Sequence, residues 1–122
     1  MSLFRRINVV INRAVLIVRY TQFFVDWVNA ADPTPTDTIT LADANDDSGA
    51  YLLEVEDDRE LDEWLALNGE TLFEEVLNDW YTDPELWPQD RSLAMFRKWC
   101  SLELHTVVLD TGNSPLEDDE AD

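Results

Sequence analysis

The sequence is poor in the residues from which common catalytic and binding motifs are built. Among 122 residues it holds one cysteine, one histidine and three glycines. The single cysteine, Cys100, excludes an intramolecular disulfide, so we expect a reducing cytoplasm instead of a disulfide-stapled secreted scaffold. With only Gly49, Gly69 and Gly112 available, no familiar glycine-rich phosphate-binding loop can form.

Long apolar runs are also missing. Arg5 and Arg6 precede an apolar stretch, as in a signal peptide, but Asn8, Asn12 and Arg13 interrupt that stretch and no small-residue cleavage site follows. A membrane-spanning helix needs roughly 18 consecutive apolar residues, and no run approaches this length. We therefore predict neither export nor membrane insertion.

Positive charge is scarce and unevenly placed. The chain carries 8 Lys+Arg against 27 Asp+Glu, a formal net charge of -19. Residues 1–30 contain four arginines and one acid, whereas residues 31–122 contain 26 acids and four bases. Such an excess repels nucleic-acid phosphates and anionic lipid surfaces. We expect no direct nucleic-acid or membrane binding; an unknown and basic protein partner fits the charge, and the oligomeric state is left open.

Apolar and aromatic residues are abundant enough to form a core. They make up 45% and 11% of the chain, with five tryptophans, so folding can offset the loss of chain entropy. The length suits one domain. We predict a single domain over residues 13–111, with residues 1–12 as an N-terminal extension or extra strand and residues 112–122 as an acidic disordered tail.

The hydrophobic pattern predicts a small α+β domain. Ala14–Val18 is a short apolar run typical of a strand buried on both faces, and Phe23, Phe24, Trp27 and Val28 fall on one face of a helix that opens near Thr21. The predicted elements are a strand at 13–20, a helix from 21 to 32, a loop over 33–49 with one short turn at 40–44, a strand at 51–55, one helix over 58–81 or two helices broken at Gly69, a helix capped by Asp90, and a strand at 102–110. Whether Ile7–Ile11 is a separate strand stays open. We expect a three- or four-stranded sheet with about three to four helices packed on one face.

Acidic residues concentrate on the long predicted helix. The nine acids of this stretch are Asp57, Asp58, Glu60, Asp62, Glu63, Glu70, Glu74, Glu75 and Asp79. One interpretation is a solvated face that maintains solubility. The other is a functional surface, which binds a basic partner or mimics a phosphate array and so occupies a nucleic-acid-binding protein.

One segment has the ligand spacing of a calcium-binding loop. Asp43, Asn45, Asp47 and Glu54 occupy positions 1, 3, 5 and 12 of a twelve-residue EF-hand pattern. Glycine, however, falls at position 7 instead of 6, and the flanks are predicted to be loop and strand. We keep these residues as a weak calcium candidate beside a simpler interpretation, a turn that leads into the strand at Tyr51.

Nucleophilic catalysis has few candidate residues. Cys100 lies five residues before His105, and a catalytic pair would need the two within hydrogen-bond reach. The sequence offers no oxyanion loop and no third member, so we favour a buried thiol and a strand-borne imidazole. One Cys and one His also cannot complete a usual zinc site without two carboxylates. We expect no catalytic residue, no resident metal and no cofactor.

A proline-rich aromatic segment between the last two predicted helices is a candidate interaction surface. Its chemistry-bearing residues are Asp79, Trp80, Tyr81, Asp83, Trp87 and Arg91. They would form a sugar-stacking or peptide-binding platform, or simply fasten a connecting loop to the core. We expect Arg91 to pair with a nearby acid such as Asp83 or Asp90.

Aromatic and acidic landmarks recur along the chain: Phe24-Val-Asp26-Trp27, Asp32-Pro33, Tyr51-Leu-Leu, Phe73-Glu-Glu, Trp80-Tyr81, Trp87-Pro88-Gln-Asp90-Arg91, Phe96, Trp99, His105 and Val108-Leu-Asp110. In these landmarks, over about residues 13–110, the chain resembles a group of short acidic uncharacterised proteins from bacteria. The resemblance implies a bacterial cytoplasmic protein and carries over no activity, cofactor or site.

The sequence thus favours a non-enzymatic protein–protein interaction module that uses an acidic surface. Two alternatives stay open at this point. One is a phosphate-mimicking inhibitor of a nucleic-acid-binding protein, and the other is a small ligand-binding domain or enzyme with a site near His105.

Overall fold

The computed structural model describes residues 10–32 and 37–120. Its elements in chain order are strand β1 (Ala14–Tyr20), helix α1 (Gln22–Ala31), the single-turn helix α2 (Leu41–Ala44), strand β2 (Gly49–Leu53), helix α3 (Asp58–Asn78), a 3-10 turn (Pro84–Leu86), helix α4 (Leu93–Trp99) and strand β3 (Cys100–His105). Within these ranges, no helix is long and apolar enough to cross a lipid bilayer.

The three strands form one antiparallel sheet in the order β2-β1-β3. This confirms the predicted α+β class, with three strands. Ala14, Leu16 and Val18 of the central strand are at most 1% exposed, because helices cover the face to which they point. Val15 and Ile17 point to the opposite face and are only half-buried. The prediction of a strand buried on both faces is therefore wrong: the helices pack on one face alone.

Helix α1 begins after Thr21 and ends before Asp32, as predicted. Phe24, Val25 and Val28 are buried, but Phe23 is 53% exposed. The prediction that Phe23 shares the buried face is wrong, since its ring lies outward under the Lys98 ammonium, 4.5 Å from the ring centre.

Helix α3 is a single helix and is not broken at Gly69. It starts at Asp57, whose side chain accepts a 2.8 Å hydrogen bond from the backbone N–H of Glu60. Gly69 is buried against α4, where an added Cβ would lie 3.3 Å from Leu93 Cδ1. The glycine thus lets α3 and α4 approach closely, and its unfavourable helix propensity of about 1 kcal/mol is offset by tertiary packing.

Helix α4 and strand β3 differ from their predicted ends. Ser92, and not Asp90, caps α4 by accepting from the Met95 N–H at 3.3 Å, while Asp90 accepts from the Ser92 N–H at 3.0 Å. Strand β3 ends at His105 instead of residue 110. Beyond it, the pairing seen among the described residues is local: a Val10–Leu109 bridge and a 2.9 Å bond from the Ile11 N–H to the Val108 carbonyl.

The short elements between α1 and α3 and the two ends of the chain can also be compared with their predicted positions. The short turn at 40–44 is α2, and β2 occupies residues 49–53, two positions before the predicted 51–55. Residues 7–9 of the Ile7–Ile11 run lie outside the described residues. Residues 112–120 are exposed and form no helix or strand.

An aromatic layer holds the helices beneath the sheet. Phe24 is fully buried, with ring centroids 4.5 Å from Tyr20, 5.2 Å from Trp27 and 5.9 Å from Trp99. Beside it, the rings of α3 and α4 stack as Phe73 on Phe96 at 4.8 Å. Aromatic pairs of this kind add about 0.5–1.5 kcal/mol each beyond the burial of their area.

Truncation of the buried stack should destabilise the fold strongly. Replacing Phe73, which is 0% exposed, by alanine removes packing from both α3 and α4, and we expect a loss of about 3–5 kcal/mol in unfolding free energy. Urea unfolding followed by tryptophan fluorescence measures it. The control Phe23→Ala deletes the same side chain from an exposed site and should cost less than about 1 kcal/mol; equal losses would contradict the assigned core.

Candidate functional site

The outward face of α3 carries a row of acids around one exposed leucine. Leu61, Leu65 and Val76 face the core, so the residues about half a turn away point to solvent. These are Glu63, Leu67, Glu70 and Glu74, at spacings of four, three and four, and together they form the acidic ridge. Leu67 is 85% exposed, the highest value among the large apolar side chains of the residues that the structure describes.

Only part of the negative charge of α3 is neutralised by internal ion pairs. Asp62 contacts Arg97 at 3.0 Å, Glu63 contacts Arg59 at 2.7 Å and Glu74 lies 3.9 Å from Arg91. The other six acids from Asp57 to Asp79 form no ion pair with residues in the described ranges: Asp57, Asp58, Glu60, Glu70, Glu75 and Asp79. The helix therefore presents an excess of negative charge to solvent.

Charge is least well compensated at the C-terminal end of α3. The last turn contains no basic residue, and carboxylates at a helix C-terminus meet the negative end of the helix dipole. Partial burial, followed by the nearby charge of Glu75, raises the pKa of the Asp79 carboxyl above its usual range. This end of the helix is thus electrostatically unfavourable in isolation.

The predicted interaction surface around residues 79–91 is fastened to the core. The Trp27 indole donates to the Leu86 carbonyl at 2.9 Å, and the Trp87 indole donates to the Tyr81 carbonyl at 2.7 Å. The Tyr81 hydroxyl in turn donates to the carbonyl of Val28. These indole, hydroxyl and carbonyl groups form hydrogen bonds within the protein. The contacts therefore favour a loop that is fastened to the core over a platform that binds a ligand.

The remaining members of that segment have local roles. Trp80 packs edge-on against Tyr20, with ring centroids 5.4 Å apart. Arg91 pairs with an acid, as predicted, but the acid is Glu74 at 3.9 Å and neither Asp83 nor Asp90. The Asp83 carboxylate accepts from the Glu85 N–H and the Asp90 carboxylate accepts from the Ser92 N–H, both at 3.0 Å, so both are engaged in turns. Arg91 also donates to the Pro88 carbonyl at 2.9 Å.

The calcium candidates are not brought together. Asp43 and Thr40 form a reciprocal capping box at the start of α2. The Asn45 amide accepts from the Tyr20 N–H at 2.8 Å and donates to the Tyr20 carbonyl at 2.9 Å. Glu54 pairs with Arg13 at 3.1 Å, and Asp47 is exposed. Across the described ranges, no group of three or more His, Cys, Asp or Glu side chains is placed to hold a metal ion.

Cys100 and His105 lie at opposite ends of β3. Five residues of strand separate them by about 16 Å and direct their side chains to opposite faces. The thiol is buried, which raises its pKa to about 12, whereas the imidazole is exposed and its Nε2 lies 3.0 Å from Glu103 Oε2. That contact lowers the pKa of Glu103. Neither Cys100 nor His105 lines the polar cleft between Arg13, Glu54 and Glu60.

Sequence reasoning named the acids of α3 but missed Leu67. The available signal was periodicity, because Leu67 falls outside the stripe of apolar residues that marks the buried face of this helix. An apolar side chain out of phase with that stripe must point to solvent once the helix packs.

The Cys100 thiol should be unreactive while the protein is folded. Thiolate is the reacting species, and a buried thiol with a pKa near 12 supplies almost none at neutral pH. We expect an aromatic disulfide reagent to modify the folded protein only as fast as it unfolds, and urea-unfolded chain at once. Rapid modification of the folded protein would contradict the burial of Cys100.

The unfavourable charge interactions at the C-terminal end of α3 predict that neutralising Asp79 stabilises the folded protein. Because the pKa of Asp79 is raised on folding, its ionised form opposes folding, and stability is gained as pH falls through that pKa. Asp79→Asn should raise the unfolding free energy by about 0.5 kcal/mol at neutral pH, and the gain should vanish under acidic conditions. The control Asp118→Asn, in the exposed tail, should change nothing at either pH.

Comparison with models of protein families, with curated proteins and with solved structures finds no match for this chain. The resemblance to short acidic bacterial proteins stays a prediction. Functional inference therefore rests on the surfaces of the chain itself.

Proposed function

We propose that this chain is a non-enzymatic interaction module of the bacterial cytoplasm that binds a basic partner protein through the acidic ridge of α3. The single observation that carries the proposal is the position of Leu67. A leucine 85% exposed lies about one helical turn from Glu63 and Glu70 and about two turns from Glu74.

This arrangement combines the two contributions that a specific interface needs. An apolar anchor such as Leu67 gains free energy when a partner removes it from water, by about 25 cal/mol per Å² of apolar area. Within the ridge Glu63 and Glu74 already contact arginines, so Glu70 and the other acids of α3 that form no ion pair with a described residue attract a basic partner and orient it during encounter.

Several contacts support a binding role over a catalytic one. The thiol of Cys100 is buried and the imidazole of His105 is about 16 Å along the strand from it. The aromatic segment from Trp80 to Trp87 uses its polar groups to hold a loop in place. The ridge is an exposed feature that these internal contacts leave available.

Affinity capture from a bacterial lysate, eluted stepwise with salt, tests the proposal with two matched pairs of variants. Leu67→Ala removes the anchor and Leu116→Ala removes an exposed leucine from the tail. Glu70→Gln removes a ridge charge and Glu117→Gln removes a tail charge. All four positions are exposed, so we expect each variant to fold.

We expect Leu67→Ala to reduce recovery of the partner about tenfold, and Glu70→Gln to lower the salt concentration needed for elution. Both tail variants should behave like the unaltered protein. Equal recovery by all variants would contradict the proposal. A third outcome is possible. If the captured protein is one that binds nucleic acid, and if added DNA or RNA displaces the chain from it, then the acidic ridge acts as a phosphate mimic.

A further inference from the structure

Strand β2 lies at the edge of the sheet. In the order β2-β1-β3 it pairs with β1 on one side, and no other strand of the described ranges pairs with it on the other. Alternate backbone N–H and C=O groups of an edge strand point away from its neighbour. Such groups are a ready template for a further strand.

A groove of about 290 Å³ lies between β2 and the near flank of α3. Its walls are mainly apolar and are formed by Tyr51 and Leu53 on β2 and by Trp64, Asn68 and Leu72 on α3. A strand added to β2 would point every second side chain toward this groove. Proteins can bind an extended peptide where an edge strand lies beside a groove and a helix. In that arrangement backbone hydrogen bonds supply the affinity for the peptide, and side-chain pockets supply the specificity.

Two polar groups in the groove have unused hydrogen-bonding capacity. The Tyr51 hydroxyl makes no hydrogen bond to another described residue. The Asn68 amide nitrogen donates to the Trp64 carbonyl at 3.1 Å, which leaves its Oδ1 available as an acceptor. These groups can orient an incoming chain among otherwise apolar walls.

Charge around the groove indicates which kind of strand fits. Asp46 and Asp47 precede β2, Glu54 and Glu56 follow it, and all four are exposed; of these, Glu54 is paired with Arg13. Glu75 is on the rim of the groove. A second copy paired antiparallel along β2 would bring the acids at each end against one another, which costs free energy. A strand with basic residues at both ends would instead be attracted.

We propose that the groove accepts an extended segment of another protein, with apolar residues at alternate positions and basic residues at both ends, as a fourth strand on the outer edge of β2. This site is formed by β2 and by the flank of α3 that carries Trp64 and Asn68. It differs from the acidic ridge and does not depend on it.

The probe is a fluorescein-labelled nonapeptide with three alternate valines separated by threonines and two basic residues at each end. Fluorescence anisotropy measures its binding to the full chain, and hydrogen–deuterium exchange of the complex locates it. We expect saturable binding and slower amide exchange within β2. A peptide of the same sequence with methylated central amide nitrogens keeps the charge but cannot form strand hydrogen bonds, and should bind at least about tenfold more weakly.

Two substitutions that each introduce an arginine test whether the peptide binds in the groove. Thr71→Arg places a cation on the groove wall and should weaken binding about tenfold. Ala66→Arg, on an exposed position facing away from the groove, should change affinity less than about twofold. Both sites are exposed positions of α3, where arginine is a good helix former.

The proposal would be overturned by unchanged exchange in β2, by equal binding of the methylated peptide, or by equal effects of the two arginine variants. Self-association of the unliganded chain through β2, detected by light scattering and loss of exchange there, would also overturn it. Leu67→Ala should leave peptide binding unchanged, so failure at the groove is distinguishable from failure at the acidic ridge.

Discussion

The burial of Phe24 against rings from three other segments is the interaction on which the rest of the structure depends. Phe24 contacts Tyr20 from the central strand, Trp27 from its own helix, and both Trp80 and Trp99 from the C-terminal half. With the adjoining stack of Phe73 on Phe96, it gathers α1, α3 and α4 on one face of the sheet. Because a three-stranded sheet is narrow, no element of residues 10–32 and 37–120 covers the outer edge of β2 or the outward side of α3.

The proposed function rests on the surfaces that this one-sided packing leaves exposed. The inner stripe of α3 is used for the core, so its acids and Leu67 must point to solvent. The flank of the same helix that faces β2 forms a groove wall beside a strand edge that pairs with no other described strand. The acidic ridge and the groove thus lie on two sides of one helix and differ in chemistry, and for each we propose a partner that carries positive charge.

Local sequence signals predicted those elements that local forces determine. The apolar run of β1, the opening of α1 at Thr21 and the capping of α3 by Asp57 were all predictable, because periodicity and caps act over a few residues. The end of β3 was not predictable from local signals, because it depends on where β1 begins. The choice of Ser92 over Asp90 as the cap of α4 was not predictable either, since both residues can accept backbone hydrogen bonds. In the candidate site, composition identified the nine acids, whereas the partners of Arg91 and the exposure of Leu67 depend on how helices pack.

Site-specific photocrosslinking tests the central claim, that Leu67 and its surrounding acids contact a partner. A photoreactive benzoylphenylalanine replaces Leu67 in one protein and Leu116 in another; these leucines are 85% and 71% exposed. Each protein is irradiated in a bacterial lysate and the adducts are identified by mass spectrometry. The account predicts a discrete adduct from position 67 that high salt abolishes, and none from position 116. The same adducts from both positions, or none from position 67, would contradict it.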